Sequence, residues 1–338
     1  MKNMSVKIKM LEYFRLLRLQ TAAATATAPL LGALVIGQRD LLSLAILFFI
    51  GMLYHIYGFV LNEYIDIEVD KKSAHLQKKP LVSGIIKKET ALFITVGAIV
   101  IACILIIVFF PALFPISLFL LALVLGGIYD LFGKKIPGCD FILGGGFFFL
   151  CLFGVSTVST NFTLPSYIVC SVYFFHIVFN NAVEGGLKDV EHDYLAGAKT
   201  LAIAMRVKVK KGRIGASNLF IAFAYGLEII FLGFIIYLVL QPEIKLSYTN
   251  TPTLPIILVF LFLIFFITSY RFLHMRTMER GKLKRFFSVH EMISFFILLM
   301  ALYPLLGLWI TVILLLLPSV WYLIFNIILY GKLLQPQV

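Results

Sequence analysis

Charged residues are scarce in this chain: only 14% of its 338 residues are Asp, Glu, Lys or Arg, whereas 61% are hydrophobic. With a mean hydropathy of +1.00, the sequence lies far outside the range of a soluble globular domain. Apolar runs of about 18 to 25 residues recur between residues 21 and 330, and each can cross a hydrocarbon core of roughly 30 Å. The runs lack the alternation of a barrel strand. The sequence therefore predicts an all-α polytopic membrane protein.

Cysteines are also few and show no paired spacing, which excludes a disulfide framework or a zinc site as the expected organisation; they are Cys103, Cys139, Cys151 and Cys170. The basic N-terminal segment has no small-residue cleavage site, so we expect no signal peptide. The run Gly144-Gly145-Gly146 has no following Lys-Ser/Thr, which indicates close helix packing rather than a phosphate loop. The net charge of +12 comes from short loops between apolar runs, so we expect no nucleic-acid partner.

Ten membrane spans are predicted from the apolar runs. They cover residues 19–37, 41–62, 90–109, 114–130, 141–160, 166–187, 214–240, 255–273, 289–306 and 309–331. The last two come from one apolar stretch, residues 287–330, which as a straight helix would be about 65 Å long, twice the membrane thickness. We therefore expect a tight hairpin near Pro304 to Gly307, with nine spans as the alternative.

The distribution of positive charge predicts the orientation. Loops after the even-numbered spans are basic; their positive residues are Lys71, Lys72, Lys78, Lys79, Lys87 and Lys88, then Lys134 and Lys135, then those within residues 188–213 and 271–285. Opposite loops, such as residues 110–114 and 160–165, carry no lysine or arginine. By the positive-inside rule, the N-terminus and the even-numbered loops face the cytoplasm.

The same acidic spacing occurs twice, each time where an apolar run meets basic sequence. Asp66 and Asp70 follow span two, and Asp189 and Asp193 follow span six. In a helix a four-residue step advances about 400°, so each pair projects from one face, and Asn62 extends the first stripe. Both motifs fall on the cytoplasmic side of the predicted topology.

Two carboxylate pairs at a membrane edge are typical of a metal-diphosphate site. Mg²⁺ prefers oxygen ligands and bridges carboxylates to substrate phosphates, and nearby lysines share the charge of a departing diphosphate. The candidate lysines are Lys79, Lys134, Lys188 and Lys199. Three further acids, Glu63, Glu68 and Glu191, point to other helix faces, and we expect them in solvent or in loop salt bridges.

Polar residues within spans two and six predict a polar chamber beneath this mouth, because intramembrane polar groups usually face a cavity or one another. They are His55, His176, Asn180, Asn181 and Glu184. Aromatic side chains are plentiful in the same spans, and π faces can shield a carbocation.

These residues resemble the UbiA superfamily of intramembrane prenyltransferases, of the 4-hydroxybenzoate, menaquinone and digeranylgeranylglyceryl phosphate synthase type. The motifs that carry the resemblance are Asn62-x3-Asp66-x3-Asp70 with Pro80-x2-Ser83-Gly84, Lys188-Asp189-x3-Asp193-x3-Gly197-x-Lys199-Thr200-Leu201, and the loop Tyr129-x4-Lys134-Lys135. The chain departs from the family at Glu63, where Asp is common, at Lys79, where Arg is usual, and at Glu184-Gly185, where many members have Arg-Glu. Lysine lacks the bidentate fork of arginine, which puts diphosphate grip and substrate length in question.

The resemblance implies a nine-helix bundle around a central cavity, to which this chain adds a tenth C-terminal helix. It implies one transmembrane domain over residues 1–338, with a core of about 12–306 and the extra helix in 307–338. The implied reaction is Mg²⁺-dependent transfer of a prenyl group from a prenyl diphosphate to a lipophilic acceptor. An aromatic quinone precursor, a naphthoate, a porphyrin-type ring and a prenylated glycerol phosphate all fit as the acceptor.

The implied site has two groups of residues. Catalysis and metal binding fall to Asp66, Asp70, Asp189 and Asp193, joined as a ligand by Asn62, with two or three Mg²⁺ ions, or Mn²⁺, bridging to the diphosphate. Substrate binding falls to Lys79, Tyr129, Lys134, Lys135, Lys188 and Lys199. The expected partners are the two substrates and membrane lipid, with no obligate protein partner.

Two rival functions stay open at this point. A terpene cyclase on the same scaffold would capture the allylic cation intramolecularly. A cation-coupled transporter or channel belongs to another class, but transporters favour polar sites near the membrane midplane, whereas the strongest charges here lie at the cytosolic rim.

Overall fold

A computed structural model describes residues 6–71, 76–210 and 212–333 of the protein. Lys72, one of the loop lysines used for the orientation, lies outside these residues. The described chain is almost entirely helical. In order, its elements are α1 (Val6–Leu16), α2 (Leu19–Val35), α3 (Leu41–Ile65), α4 (Ile67–Asp70), α5 (Lys88–Phe109), α6 (Leu113–Phe132), α7 (Asp140–Ser156), α8 (Leu164–Val178), a π-helical segment (Phe179–Gly185), α9 (Gly186–Ala196), α10 (Leu201–Ala204), β1 (Lys208–Lys210), β2 (Arg213–Gly215), α11 (Asn218–Val239), α12 (Pro242–Asn250), α13 (Thr253–Leu273) and α14 (Arg280–Tyr330).

Seven helical stretches in the described residues are long and apolar enough to cross a membrane: Leu41–Ile65, Lys88–Phe109, Leu113–Phe132, Leu164–Ala196, Asn218–Val239, Thr253–Leu273 and Arg280–Tyr330. Asp140–Ser156 is a shorter apolar helix. The chain is therefore an integral membrane protein, as predicted. Every predicted span falls on a helix, but the total of ten crossings is not confirmed by these lengths and stays a prediction.

The last long helix is folded back on itself at Gly307, whose φ of 75° and ψ of 172° are not helical. Ser288 Oγ lies 3.2 Å from Tyr322 Oη, whereas 34 residues of straight helix would separate them by about 50 Å. The predicted hairpin near Pro304 to Gly307 is thus confirmed. Its second arm packs against the start of the chain, where Trp321 Nε1 donates a hydrogen bond to the carbonyl oxygen of Leu19 at 2.6 Å.

Glycines allow the helices around the cavity to approach closely. A Cβ on Gly154 of α7 would lie 1.9 Å from the carbonyl oxygen of Pro29 in α2, and one on Gly32 would lie 2.1 Å from that of Cys151. A Cβ on Gly144 would meet Val178 at 2.7 Å, which confirms that the glycine run serves helix packing. Small residues therefore set the spacing of the bundle.

Side chains and a short hairpin organise the helix ends. Asp40 caps α3 by accepting a hydrogen bond from Ser43 N at 2.8 Å, and Ser217 caps α11 in the same way through Phe220 N at 3.1 Å. Strands β1 and β2 pair in antiparallel register, and Ile214 N donates to the carbonyl oxygen of Arg276 at 3.0 Å. The connection before α11 is therefore tied to the connection before α14, at one end of the bundle.

Candidate active site

The first acidic motif lies at the junction of α3 and α4. The helical hydrogen bonds continue through this junction, because Asp66 N donates to Asn62 O at 2.9 Å and Asp70 N donates to Asp66 O at 2.8 Å. Asn62, Asp66 and Asp70 consequently lie on one face and line the main cavity, as their spacing predicts. Both aspartates are buried, with 7% and 1% of their surface exposed.

Two lysines from separate loops pair with these aspartates. Lys79 Nζ lies 2.7 Å from Asp70 Oδ2 and 3.0 Å from Glu63 Oε1. Lys134 Nζ lies 2.8 Å from Asp66 Oδ2 and 3.9 Å from Asp70 Oδ1. The mouth of the cavity is therefore lined by alternating positive and negative groups.

The buried ion pairs control protonation at this mouth. Burial raises the pKa of Asp66, although the ammonium of Lys134 opposes the shift. Burial lowers the pKa of Lys134, but the attraction of Asp66, with smaller contributions from Asp70 and Asp193, outweighs it and the net shift is upward. Lys134 is therefore positively charged at neutral pH and available to neutralise an anion.

The second acidic motif occupies α9, directly after the π-helical segment. Asp193 is 4% exposed, and its Oδ1 atom has no hydrogen-bond donor among the described residues. Asp189 is about half exposed and lies 3.3 Å from Lys188 Nζ. Between them, His192 Nε2 lies 3.8 Å from Oδ1 of Asp70. The two motifs, far apart in sequence, therefore meet across the cavity mouth.

The oxygen donors of these motifs fit Mg²⁺, which prefers carboxylate oxygens and keeps part of its water shell. Asp193 Oδ1 and Asp130 Oδ2 are buried oxygen atoms without hydrogen-bond donors in the described chain. No group of three or more His, Cys, Asp or Glu side chains in that part of the chain is already arranged to hold an ion. Lys79 and Lys134 pair with the first-motif carboxylates, so metal binding at these carboxylates requires the lysines to change partners.

Four of the six predicted substrate-binding residues line the cavity: Lys79, Tyr129, Lys134 and Lys188. Tyr129 Oη donates a hydrogen bond to Asn181 Oδ1 at 3.2 Å. The other two, Lys135 and Lys199, are exposed and do not line it. Lys135 Nζ lies 5.6 Å from the ring centre of Phe132, and Lys199 contributes a backbone N–H to Lys134 O at 2.8 Å. Lys199 thus supports the position of Lys134 through its backbone.

Glu63, Glu68 and Glu191, the three acids predicted to point to other helix faces than the aspartates, behave as expected with one difference. Glu68 is exposed and pairs with Lys71 and Lys88, and Glu191 pairs with Arg280 at 3.4 Å. Glu63 also forms a salt bridge, but it is 5% exposed rather than at the surface. The loop that carries Lys79 covers the end of α3 and buries it.

The main cavity has a volume of about 450 Å³ and extends from the acidic mouth into the bundle. The predicted polar chamber is confirmed, because all five of its residues line this cavity: His55, His176, Asn180, Asn181 and Glu184. Aromatic rings form much of the remaining wall, among them those of Tyr54, Tyr57, Phe147, Tyr173 and Phe231. The cavity thus joins a charged mouth to an interior lined by aromatic rings and by these polar side chains.

Several cavity residues were missed by reasoning from the sequence. Asp130 and Glu291 interrupt apolar runs, the same signal that identified Glu184, but they lie outside spans two and six, which lead into the acidic motifs. Arg18 lies in the left-handed region, with φ of 44°, and its Nη2 atom is 2.7 Å from Glu63. No sequence pattern identifies Arg18, since its position depends on the turn between α1 and α2.

The comparisons with known proteins agree with this geometry. The profile of the UbiA prenyltransferase family matches residues 24–290. A 4-hydroxybenzoate octaprenyltransferase of Francisella tularensis subsp. tularensis is 27% identical over 207 residues, which cover 58% of this chain and 70% of that protein.

Solved structures show the same fold. A UbiA homologue from Archaeoglobus fulgidus bound to GPP and Mg²⁺ aligns with a TM-score of 0.62 and 17% identity, over 88% of this chain and 100% of its own. A structure of digeranylgeranylglyceryl phosphate synthase aligns with a TM-score of 0.60 and 20% identity, over 89% and 100%. Since the family profile spans most of the sequence, the chain belongs to the UbiA prenyltransferase family and is a membrane-embedded prenyltransferase.

Proposed function

We propose that this enzyme transfers a prenyl group from a prenyl diphosphate to a lipophilic acceptor in an Mg²⁺-dependent reaction. The observation that carries the proposal is the meeting of the two acidic motifs at one cavity mouth, where His192 lies 3.8 Å from Asp70 and Lys134 pairs with Asp66 at 2.8 Å. Carboxylates bind divalent ions and lysines bind phosphate, so this mixed mouth suits a metal-diphosphate group better than a bare cation.

The proposed metal ligands are Asp66, Asp70, Asp189 and Asp193, with Asn62 and the previously missed Asp130 supplying further oxygen atoms. They would hold two or three ions. Bound Mg²⁺ supplies a Lewis acid that neutralises the charge developing on the departing diphosphate.

The proposed diphosphate contacts are Lys79, Tyr129, Lys134 and Lys188. In the described structure Lys79 and Lys134 neutralise carboxylates. On substrate binding, the ammonium groups of Lys79 and Lys134 would turn to the diphosphate oxygens, and the carboxylates of Asp70 and Asp66 would then be free to hold the metal ions. This exchange keeps every buried charge paired, which is the condition for placing charges in a low-dielectric site.

The isoprenoid tail lies in the interior of the cavity, against the aromatic wall. The aromatic faces of Tyr54, Tyr57 and Phe147 stabilise the allylic cation after the C–O bond breaks. The hydroxyls of Tyr54 and Tyr57 donate to backbone carbonyls of α6, at 3.3 and 2.7 Å, which holds the rings in place. The acceptor is either an aromatic quinone precursor, as in the name of the F. tularensis relative, or a prenylated glycerol phosphate.

The proposal includes a topology and a domain assignment. The excess of lysine and arginine in the loops after even-numbered spans supports a cytoplasmic N-terminus and cytoplasmic acidic motifs, where prenyl diphosphates are available. Residues 1–338 form one transmembrane domain, with a core of about 12–306 and ten crossings. Cysteine labelling of single loop positions from either side of sealed vesicles tests the orientation.

Turnover assays of purified protein test the metal and substrate assignments. Geranyl diphosphate and Mg²⁺ are supplied with 4-hydroxybenzoate or a prenylated glycerol phosphate, and both released diphosphate and lipid product are measured. We expect Asp66→Ala and Asp193→Ala each to lower turnover by at least about 10²-fold, the typical effect of losing one group that stabilises developing charge. Glu68→Ala and Glu191→Ala are matched controls, because these acids lie in the same motifs but face solvent.

Product identity separates the proposal from its rivals. A prenylated acceptor, formed only when both substrates are present, supports transfer. A cyclic hydrocarbon formed without any acceptor would identify a terpene cyclase instead. Full turnover in Asp66→Ala or Asp193→Ala protein would contradict the metal assignment.

A further inference from the structure

A chain of buried titratable side chains lies behind the cavity wall. His290 Nδ1 lies 2.9 Å from Glu184 Oε1, and His290 Nε2 lies 3.4 Å from Glu228 Oε1. Ser269 Oγ donates a hydrogen bond to the other oxygen of Glu228 at 3.2 Å. Glu184, His290 and Glu228 are only 2%, 2% and 1% exposed. Four segments therefore contribute to one chain: the π-helical segment, α11, α13 and α14.

This chain opens on the cavity through two carboxyl groups. Glu184 and Glu291 both line the cavity, whereas His290 and Glu228 do not. Oε2 of Glu184 is buried without a hydrogen-bond donor in the described residues, and Glu291 directly follows His290, the partner of Glu184, in the chain. The pair therefore has the chemistry of a proton acceptor facing the substrate chamber.

The surroundings do not suit a lysine or arginine salt bridge or a metal site, and the side chain that pairs with Glu184 and Glu228 is His290. Among the described residues, no lysine or arginine lies within ion-pair distance of Glu184, Glu228 or Glu291. The imidazole lies between the carboxyls of Glu184 and Glu228 rather than converging with them on one point. It stacks on Phe265, with ring centres 4.2 Å apart, and Phe179 covers it at 4.8 Å. Intramembrane ionisable groups are costly to bury, which makes a functional role the default expectation.

The carboxyl pair is close to the proposed diphosphate contacts. Glu184 precedes Lys188 by one helical turn, about 6 Å along the axis, on the membrane side. Lys188 in turn lies 3.3 Å from Asp189. His176, Asn180 and Ser294 line the same part of the chamber and are joined by hydrogen bonds of 3.1 and 3.0 Å through His176. The two carboxyl groups therefore face the same cavity as Lys188, one of the proposed diphosphate contacts.

We propose that Glu291 and Glu184 are catalytic residues that take up the proton released by the acceptor, and that His290 and Glu228 are positioning residues behind them. This inference rests on the proposed prenyl transfer. As the C–O bond to diphosphate breaks, the diphosphate leaves with the electron pair and the acceptor oxygen or ring carbon bonds to the allylic carbon. The acceptor's proton passes to the carboxylate of the Glu291–Glu184 pair. This lowers the negative charge of the pair, and His290, which contacts both Glu184 and Glu228, transmits that change toward Glu228. The acceptor class is therefore a molecule that loses a proton on prenylation, from a hydroxyl group or an aromatic ring carbon.

The test compares variants that keep shape but remove basicity. Glu184→Gln and Glu291→Gln are assayed with geranyl diphosphate, Mg²⁺ and either 4-hydroxybenzoate or a prenylated glycerol phosphate. We expect transfer to fall by about 10²-fold or more, as for the loss of a general base, with the KM for geranyl diphosphate unchanged. The share of prenyl alcohol among the products rises, because water captures a cation that the acceptor fails to trap.

A second measurement separates catalysis from structure. Formate added to Glu291→Ala protein supplies a carboxylate in the space left by the side chain, and we expect it to restore part of the transfer rate. Thr311→Val is the matched control, because Thr311 is a buried polar residue of α14 that only donates to Gly307 O and does not line the cavity. Glu228→Gln should lower the transfer rate less than Glu291→Gln, since it acts through His290.

The outcomes distinguish this inference from the proposed function. Transfer by Glu184→Gln and Glu291→Gln at the wild-type rate overturns the inference and leaves prenyl transfer intact. Lost transfer that formate does not restore, with an unchanged share of prenyl alcohol, also overturns it. If Glu184→Gln does not fold, as judged by thermal unfolding, the transfer rate of Glu291→Gln, whose side chain lines the cavity, decides whether the inference holds. Wild-type protein that prenylates neither acceptor overturns the proposed function, and this inference with it.

Discussion

Replacing Lys79 by glutamine removes an ammonium group that two buried carboxylates share at the cavity mouth. Lys79 is 9% exposed, and its Nζ atom lies 2.7 Å from Asp70 and 3.0 Å from Glu63. Removing one partner of a buried ion pair costs about 3–5 kcal/mol, because the remaining charge stays in a low-dielectric environment. Glu63 keeps Arg18 at 2.7 Å, and Asp70 keeps Lys134 at 3.9 Å. We therefore expect the low end of this range, about 3 kcal/mol of lost stability.

The melting temperature measures this loss. At about 2 °C per kcal/mol for a chain of this size, Lys79→Gln should lower Tm by about 6 °C. Fluorescence of Trp309 and Trp321 during heating in detergent follows the transition. Mg²⁺ should raise the Tm of the variant more than that of the wild type, because an ion at Asp70 replaces the missing positive charge. At 100 times its Kd, a bound ion contributes about 2.7 kcal/mol.

Lys88→Gln is the matched control for Lys79→Gln. Lys88 Nζ lies 3.2 Å from Glu68, but the two side chains are 49% and 70% exposed, and exposed pairs contribute little to stability. Its Tm should equal that of the wild type with or without Mg²⁺. Equal Tm values for Lys79→Gln and Lys88→Gln would refute the buried-network argument. Failure of Mg²⁺ to stabilise Lys79→Gln beyond the wild type would refute Asp70 as a metal ligand.

Three further predictions concern packing and the metal. Gly154→Ala places a Cβ 1.9 Å from Pro29 O and should lower Tm by several degrees. Gly97→Ala is the control and should leave Tm unchanged, because there is open space around Gly97. Equal Tm values for the two variants would contradict the close α2–α7 contact. Asp130→Asn should raise the Mg²⁺ concentration needed for half-maximal turnover, and an unchanged Mg²⁺ titration would remove Asp130 from the site. EDTA should stop turnover and Mn²⁺ should restore part of it; turnover that persists in EDTA would show that no divalent ion is needed.

Much of the helical architecture was predictable because hydropathy is a local property. Each predicted span falls on a helix, and the hairpin near Gly307 was predicted from the length of one apolar stretch. The shared face of Asn62, Asp66 and Asp70 was predictable for the same reason, since helical periodicity links residues one turn apart. The polar chamber followed from the rule that intramembrane polar groups face a cavity.

The sequence did not predict which lysines pair with the carboxylates of the site as well as it predicted the helices. Lys79, Lys134, Lys135 and Lys199 all flank motifs, yet only the first two lie at the carboxylates. Loop geometry decides this, and no periodic signal describes it. The burial of Glu63 was missed for the same reason, because the Lys79 loop folds over the end of α3.

By itself, the sequence determined the membrane-spanning helices, the acidic spacings and the excess of positive charge in particular loops. These features depend on composition and on neighbours within one or two helical turns. Only the tertiary structure decided that His192 meets Asp70 and that Glu184, His290 and Glu228 form one buried chain. Such contacts depend on the rotation and spacing of helices distant in sequence, which close packing at residues such as Gly32 and Gly154 sets.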